Sequence, residues 1–198
     1  DPQLPRLNEP APDFEARTTR GVRKLEDYAG RWLVLFSHPA DFTPVCTSEF
    51  VAFSQRHAEF QAEDCDLLGL SVDSTYSHIA WLRAIRERFA VEVPFPVIDD
   101  VSMRIAQAYG MVHPEASDSS TVRATFVIDP DGMLRAIVYY PLAVGRSVDE
   151  ILLPGVPLGT MADASYALRD VAVASGDVIL VISDGAPKRA RSVALVPS

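Results

Sequence analysis

One cysteine stands where a helix is predicted to begin. In the stretch FSHPADFTPVCTSEF, Cys46 follows Thr43 and Pro44 and precedes apolar residues at helical spacing. Threonine is a favoured N-cap and proline a favoured first helical residue, so this order predicts Cys46 at the third helical position. The free N–H groups and the dipole at a helix start favour an anion. The sequence therefore predicts a thiol held in its reactive thiolate form.

A structural role for the same cysteine stays open at this stage. A lone cysteine often serves as a small buried hydrophobic residue, and Cys65, directly before an apolar run, fits that role. A hydrolytic cysteine enzyme would also need a histidine base. His38 and His113 are the candidates, but no protease signature surrounds Cys46. The histidine and cysteine spacing indicates no metal site, and we expect no cofactor.

The elements around this helix start alternate between strand and helix patterns. Apolar runs at 32–36 and 67–72 predict buried strands. Helical spacing begins at Cys46 and returns at 75–89 and 101–109. The inner face of the 75–89 helix is predicted from its apolar spacing as Ile79, Leu82, Ile85, Arg86 and Phe89.

A hairpin pattern follows the helices, with strands at 124–128 and 134–140 around a turn at Asp129–Gly132. Helices alternating with strands, then a hairpin, predict an α/β layer sandwich with a mixed central sheet. The order resembles the thioredoxin-like three-layer fold with an N-terminal extension. A second hairpin is predicted between residues 171 and 182, as a C-terminal appendage.

Composition limits the possible partners. The chain has 198 residues, of which 48% are hydrophobic, so it can bury a substantial core. Its net charge of -9 argues against non-specific binding to nucleic acid. No apolar run is long enough to span a membrane. Two cysteines among 198 residues fit a reducing, cytoplasmic setting.

The motif Pro39-x-x-x-Thr43-x-x-Cys46 closely resembles the peroxidatic motif of peroxiredoxins. Further segments continue the resemblance, which covers residues 5–152 and is similar to the one-cysteine, peroxiredoxin-6-like subgroup. These segments are Gly69–Asp73, Ser77–Trp81, Pro94–Asp100, Gly110-Met111, Thr121–Ala124, Tyr140-Pro141 and Gly145-Arg146.

The resemblance implies a role for each motif residue. Cys46 would attack a hydrogen peroxide or alkyl hydroperoxide and become sulfenic acid. Thr43 would hold the peroxide or the thiolate, Pro39 would shield the sulfur from water, and Arg123 would supply positive charge. His38 would line the substrate pocket. Arg146 would orient nearby groups.

The resemblance also implies partners. No cysteine follows Cys65 in the chain, so a resolving cysteine is not expected and an external thiol would regenerate the enzyme. The family resemblance implies a homodimer or a higher homo-oligomer.

The resemblance ends at residue 152, which predicts a peroxiredoxin domain at 1–152 and an atypical tail at 153–198. The tail resembles a fragment of a PPM/SpoIIE-type phosphatase domain. Because about 46 residues cannot hold a binuclear metal site alone, we predict no phosphatase activity. The alternative function is a catalytically weak assembly or regulatory module, with a peroxiredoxin body and a foreign tail.

Overall fold

The computed structural model describes residues 4–112, 121–141, 144–153, 156–157 and 180–182. The strands are β1 (Glu15–Thr18), β2 (Gly21–Lys24), β3 (Trp32–Ser37), β4 (Cys65–Ser71), β5 (Val97–Asp99), β6 (Arg123–Ile128), β7 (Leu134–Tyr140), β8 (Leu152–Leu153), β9 (Val156–Pro157) and β10 (Leu180–Ile182). The helices are α1 (Pro44–Gln55), α2 (His57–Ala62), α3 (Thr75–Phe89), α4 (Arg104–Ala108) and α5 (Val148–Ile151), with a 3₁₀ turn at Leu25–Tyr28.

Within the described ranges, eight strands form one mixed sheet in the order β10-β7-β6-β3-β4-β5-β1-β2. Strand β3 pairs in parallel with β4, and β4 pairs in parallel with β5. The neighbours β6 and β7 join as an antiparallel hairpin, which confirms the hairpin predicted from the sequence. The central strand β3 thus lies between a parallel and an antiparallel partner.

Two apolar cores cover the two faces of the sheet, because successive side chains of a strand point to opposite faces. In β3, Leu33 and Leu35 pack into one core and Val34 and Phe36 into the other. The first core also takes in α4, through Ile105. The second core receives α1, α2, α3 and α5, through residues that include Phe50, Phe60, Trp81 and Ile151. The result is the predicted three-layer arrangement, with a mixed sheet between helices.

The predicted inner face of α3 is wrong in part. Three of its five predicted members are exposed: Ile79, Arg86 and Phe89. The buried residues of the helix are His78, Trp81 and Ile85. Trp81 Nε1 donates to Thr47 Oγ1 at 3.1 Å, and both ring nitrogens of His78 have partners. Because these polar atoms are satisfied, the two rings can be buried in place of aliphatic residues.

The ends of the chain differ from the sequence expectations in detail. The N-terminal extension contributes the β1–β2 hairpin to the edge of the sheet, next to β5. At the opposite edge, Leu180–Ile182 pairs antiparallel with β7, with Leu180 opposite Val138. The rest of the predicted C-terminal hairpin lies outside the described residues and stays a prediction.

None of the helices in the described ranges combines the length and the apolar character that crossing a membrane requires.

Candidate active site

Cys46 lies in the first turn of α1, three residues after the N-cap position. Thr43 has the extended backbone of an N-cap residue, and Pro44 is the first residue of the helix. The Thr43 side chain makes no cap hydrogen bond. Its Oγ1 donates to the Ala40 carbonyl at 3.0 Å. Thr47 closes the turn, since its backbone N–H and its hydroxyl both donate to the Thr43 carbonyl at 3.0 and 2.7 Å. Thr43 therefore starts the helix through its backbone, which leaves its hydroxyl directed at the preceding loop.

Arg123 is the charged group that approaches the Cys46 thiol. It is the first residue of β6 and its side chain is buried. Its Nη1 atom lies 3.6 Å from Cys46 Sγ. Cys46 itself has no exposed surface and packs in the core between the sheet and α1. The guanidinium thus supplies a positive charge directly beside a buried thiol.

A buried carboxylate, Glu49, joins this guanidinium to a second one. Arg123 Nη1 also donates to Glu49 Oε2. Arg146 donates to the same carboxylate from its backbone N–H at 2.7 Å, from Nε at 2.9 Å and from Nη2 at 2.9 Å. The Arg146 guanidinium also lies over the Phe36 ring, 5.1 Å from its centroid. Among the described residues, these two cations and one anion leave one net positive charge beside the sulfur.

Burial raises the pKa of Glu49, but hydrogen bonds from Arg146 and the charges of both arginines lower it more. The net effect holds the pKa of this carboxyl below its ordinary value. Sequence reasoning missed Glu49. Its signal was an acidic residue one helical turn after Cys46, directly beside Phe50 on the buried face of α1.

The loop between β3 and α1 carries the remaining predicted residues. His38 is fully buried, and its Nε2–H donates to Asp41 Oδ1 at 2.8 Å. Its Nδ1 has no hydrogen-bond partner among the described residues. Pro39 is half-buried between His38 and Asp41. The ring of His38 lies 4.9 Å from the rings of both Phe50 and Trp81. Burial lowers the pKa of His38, and the Asp41 carboxylate only partly offsets this.

Asp41 and His78 were also missed by sequence reasoning. His78 Nδ1 lies 2.8 Å from Asp41 Oδ2, and Ser77 Oγ donates to the same oxygen at 2.8 Å. Burial raises the pKa of Asp41, but hydrogen bonds from His38 and His78 outweigh it and hold that pKa far below its usual range. His38, Asp41 and His78 together offer the atom types of a metal site. Their facing atoms are already hydrogen-bonded to one another at 2.8 to 3.0 Å.

Cys65 provides a contrast with Cys46. It begins β4, is buried, and donates weakly to the Asp66 carbonyl at 3.7 Å. Burial, assisted by the Asp66 charge, raises its pKa to about 12. A thiol with such a pKa stays protonated at neutral pH and is a poor nucleophile.

Comparison with known proteins places this chain in a family. The pattern of the AhpC/TSA family matches residues 7–137. A peroxiredoxin of Aquifex aeolicus is 58% identical over 150 residues, which cover 75% of this chain and 68% of that protein. The chain belongs to the AhpC/TSA family. A second relative, peroxiredoxin 2 of Caldanaerobacter subterraneus, is 54% identical over 75% of this chain and 67% of its own length.

Solved structures of peroxiredoxins share the fold. A yeast mitochondrial 1-Cys peroxiredoxin superposes with a TM-score of 0.70 at 42% identity, over 75% of this chain and 73% of that one. A mutant of the peroxiredoxin 6 of Arenicola marina gives a TM-score of 0.69 at 37% identity, over 74% of this chain and 70% of that one. This family member is a thiol-dependent peroxidase, and the comparisons do not favour the alternative of a catalytically weak assembly module.

The Glu49 carboxylate should stabilise the folded state, because it neutralises two buried guanidinium groups. Glu49→Gln should lower the free energy of unfolding at pH 7 by about 3 kcal/mol, because it leaves two buried guanidinium groups without their counter-ion. The pKa of Glu49 is lower in the folded state than in the unfolded state. The stabilisation from its charge is therefore complete above about pH 4.3, the ordinary pKa of glutamate. It is lost as the pH falls through the lower pKa of the folded state. The variant should lose this part of the acid dependence.

Urea unfolding at pH 7 and at pH 4 measures both effects. Glu59→Gln is the matched control, since Glu59 forms an exposed ion pair with Arg56 that should matter little. Equal stability losses in the two variants would contradict the role assigned to Glu49.

Proposed function

We propose that Cys46 is the peroxidatic cysteine of a one-cysteine peroxiredoxin that reduces hydrogen peroxide and alkyl hydroperoxides. The observation that carries this proposal is the 3.6 Å approach of Arg123 Nη1 to Cys46 Sγ, inside a buried site at a helix start. Positive charge and aligned N–H groups stabilise the thiolate before reaction. The same charge stabilises the negative charge that grows on the departing oxygen of the peroxide.

The proposed first step is a two-electron oxidation of the sulfur. The thiolate attacks one peroxide oxygen, an S–O bond forms, and the O–O bond breaks. The sulfur becomes a sulfenic acid, while the second oxygen leaves as water or an alcohol after taking up a proton. An external thiol then attacks the sulfenic sulfur, which releases water and forms a mixed disulfide. A second external thiol breaks that disulfide and restores the Cys46 thiolate.

Thr43 and Pro39 would bind and shelter the peroxide in this scheme. The Thr43 hydroxyl donates its own proton to the Ala40 carbonyl. Its lone pairs can therefore accept a hydrogen bond from the O–H of a peroxide. The half-buried ring of Pro39 lacks an N–H group and would shield the sulfur from water.

The remaining residues would shape the electrostatics of the pocket. Arg123 contacts the sulfur, and we assign it the stabilisation of the transition state. Arg146 would act through Glu49, whose carboxylate orients the Arg123 guanidinium. His38 would line the pocket with its ring, since its Nε2 atom is occupied by Asp41.

The oxidation step generates a kinetic prediction. Mixing the reduced chain with hydrogen peroxide in a stopped-flow instrument should give a second-order oxidation at least ~10³-fold faster than that of a free thiol, because the thiolate and its transition state are both stabilised. Cys46→Ser should abolish it. Cys65→Ser is the same chemical change at a buried, protonated thiol and should leave the rate within about twofold of the original. A wild-type rate no better than that of a free thiol would refute the proposed function.

The need for an external thiol follows from the state of Cys65. Both cysteines are free, and the raised pKa of Cys65 makes it a poor attacking group. We expect stoichiometric peroxide to leave a sulfenic acid on Cys46 that a dimedone-type reagent labels, with no disulfide on a non-reducing gel. Dithiothreitol should then restore activity. A stoichiometric intrachain or interchain disulfide would overturn this part of the proposal, and Cys65→Ser would show whether Cys65 forms it.

We also propose a homodimer or higher homo-oligomer in the cytoplasm, with the peroxidase domain ending at residue 152. Two exposed aromatic side chains, Phe42 and Tyr76, support self-association. Phe42 follows Asp41 in the chain and Tyr76 precedes Ser77. Because Asp41 and Ser77 are hydrogen-bonded to each other, the two aromatic side chains lie in the same region of the surface.

Free cysteines fit a reducing compartment. Buried Ile151 and Leu152 support a boundary after the last of these core residues.

A chain cut after Leu152 tests the boundary and the tail together. It should oxidise with a rate constant within about twofold of the full chain, because the residues assigned to the site all precede the cut. Light scattering should give the full chain a mass at least twice the 21.7 kDa of one copy. The mass of the shorter chain then shows whether the tail takes part in assembly. A monomeric full chain would contradict the oligomer, and an inactive shorter chain would contradict the boundary.

A further inference from the structure

Two hydrogen bonds in series lead from the core of the protein to the start of α1. Trp81, in α3, donates from its indole Nε1 to Thr47 Oγ1 at 3.1 Å. Thr47 Oγ1 in turn donates to the Thr43 carbonyl at 2.7 Å. An indole N–H can only donate and a carbonyl oxygen can only accept, so the direction of both bonds is fixed. The Thr47 hydroxyl therefore accepts from Trp81 and gives its own proton to Thr43.

Close packing holds the Trp81 end of this series in place. The residue is only 1% exposed. Its ring lies 4.5 Å from the Phe50 ring and 4.9 Å from the His38 ring, measured between centroids. A large ring in such surroundings has few alternative positions. The indole N–H is therefore a fixed point that orients the Thr47 hydroxyl.

The other end of the series is Thr43, the residue that the proposed function assigns to the peroxide. The Thr43 carbonyl accepts two hydrogen bonds from Thr47, from the backbone N–H at 3.0 Å and from the hydroxyl at 2.7 Å. The Thr43 side chain donates to the Ala40 carbonyl at 3.0 Å. Thr43 is thus held at its backbone by α1 and at its side chain by the preceding loop. Together these bonds fix the position of its hydroxyl.

The backbone just before Thr43 needs such an anchor. Phe42 has a φ of +61°, a region that favours glycine and costs other residues free energy. Its side chain is exposed, so it contributes little packing that could hold this conformation. Bonds at the neighbouring residues must hold it instead, and the two bonds to the Thr43 carbonyl do so on one side.

A hydroxyl that donates to the carbonyl four residues earlier is common in helices. Ser54, also in α1, makes the same bond to the Phe50 carbonyl at 2.6 Å. Thr47 differs in two respects. Its acceptor is the N-cap carbonyl, and its hydroxyl also accepts from the indole of another helix. The Thr47 bond therefore links α3 to the helix start, whereas the Ser54 bond joins two residues of one helix.

We propose that Trp81 and Thr47 are positioning residues for the peroxidase reaction: the hydrogen bonds from the Trp81 indole through the Thr47 hydroxyl to the Thr43 carbonyl set the Thr43 hydroxyl where it receives the peroxide. This inference rests on the proposed function of Cys46 and assigns to it two residues that act through Thr43.

Two substitutions at Thr47 separate hydrogen bonding from packing. Thr47→Val keeps the shape of the side chain and removes the hydroxyl. Thr47→Ser keeps the hydroxyl and removes a methyl group. If the hydroxyl positions Thr43, the valine variant should be impaired and the serine variant should not. Ser54→Ala is the matched control, because it removes a hydroxyl bond of the same kind from the same helix.

The bond from the indole can be measured without activity. The chain has two tryptophans, so its ¹H–¹⁵N spectrum should show two indole signals, which Trp81→Phe and Trp32→Phe assign. Thr47→Val should move the Trp81 signal upfield, because the indole N–H loses its acceptor, and should leave the Trp32 signal in place. Thr47→Ser should keep both. An unchanged Trp81 signal in Thr47→Val would overturn the proposal.

Stopped-flow oxidation of Cys46 by hydrogen peroxide measures the functional effect. Thr47→Val should react at least ~10-fold more slowly than the original chain, because a displaced Thr43 hydroxyl no longer orients the peroxide. Thr47→Ser should stay within about threefold of the original rate and Ser54→Ala within about twofold. A fast Thr47→Val variant, or a serine variant as slow as the valine one, would overturn the positioning role.

A second substitution, Thr43→Val, shows whether Thr47 acts through Thr43. The Thr43 side chain makes no cap hydrogen bond, so this change should spare the helix start. Alone, it should slow the oxidation at least ~10-fold, since it removes the hydroxyl assigned to the peroxide. Adding Thr47→Val should then cost less than about twofold more, because the group that it positions is already absent. Losses that multiply would show general damage to the helix start and would overturn the proposal.

Trp81→Phe keeps the proposal testable if Thr47→Val does not fold. It removes the indole donor and leaves an aromatic ring, and it should slow the oxidation by about threefold or more. Trp32→Phe is the matched control, because it makes the same change at the end of β3 remote from the loop. Equal rates in these two variants would overturn the role of Trp81.

Failure of the proposed function gives a different result. If the original chain reacts no faster than a free thiol, the proposed function fails, and the positioning role fails with it. A fast original chain with an equally fast Thr47→Val variant leaves the proposed function intact and overturns only the positioning role.

Discussion

The carboxylate of Glu49 holds two guanidinium groups in a site with almost no access to water. Without it, Arg123 and Arg146 would be two like charges buried near each other, which is costly in a low dielectric. With it, the described charges of the site sum to one net positive charge. These ion pairs connect three parts of the fold: Glu49 lies in α1, Arg123 in β6, and Arg146 in the segment before α5. The position of the thiol and the sign of the potential around it therefore depend on the same ion pairs.

Aromatic side chains surround the charged groups of the site and reduce the screening of their charges by water. Phe36 stacks with Phe53 at 4.6 Å between centroids and also lies beneath the Arg146 guanidinium. Phe50 and Phe36 meet in an edge-to-face arrangement with 5.5 Å between their centroids, and Phe50 also packs beside His38. These rings exclude water from one side of the site, so each charge acts through a medium that screens it weakly. Close packing also limits the conformational freedom of the guanidinium groups.

Sequence reasoning reached the parts of this site that depend on local order. The position of Cys46 in the first turn of α1 follows from Thr43 and Pro44, and the strands β3 and β4 follow from their apolar runs. The family resemblance predicted that Arg123 supplies positive charge to the Cys46 thiol. The 3.6 Å distance between Arg123 Nη1 and Cys46 Sγ results from the pairing of β6 with β3. Glu49, Asp41 and His78 were not found, because each is defined by a partner distant in the sequence: Glu49 and Arg146 are 97 residues apart. The buried face of α3 was misassigned for the same reason. His78 and Trp81 can be buried because their polar atoms have hydrogen-bond partners elsewhere in the fold.

The two cysteines show how far environment outweighs residue type. Both are fully or almost fully buried and both are free. Cys65 stands at the start of a strand beside Asp66, and burial with a negative neighbour raises its pKa to about 12. Cys46 has a guanidinium as its neighbour and the N–H groups of a helix start around it. The two thiols therefore differ in the sign of the charge beside them: a carboxylate next to Cys65 and a guanidinium next to Cys46. The fold brings a helix start and a guanidinium to the sulfur of Cys46, and it holds that guanidinium in place with the Glu49 carboxylate.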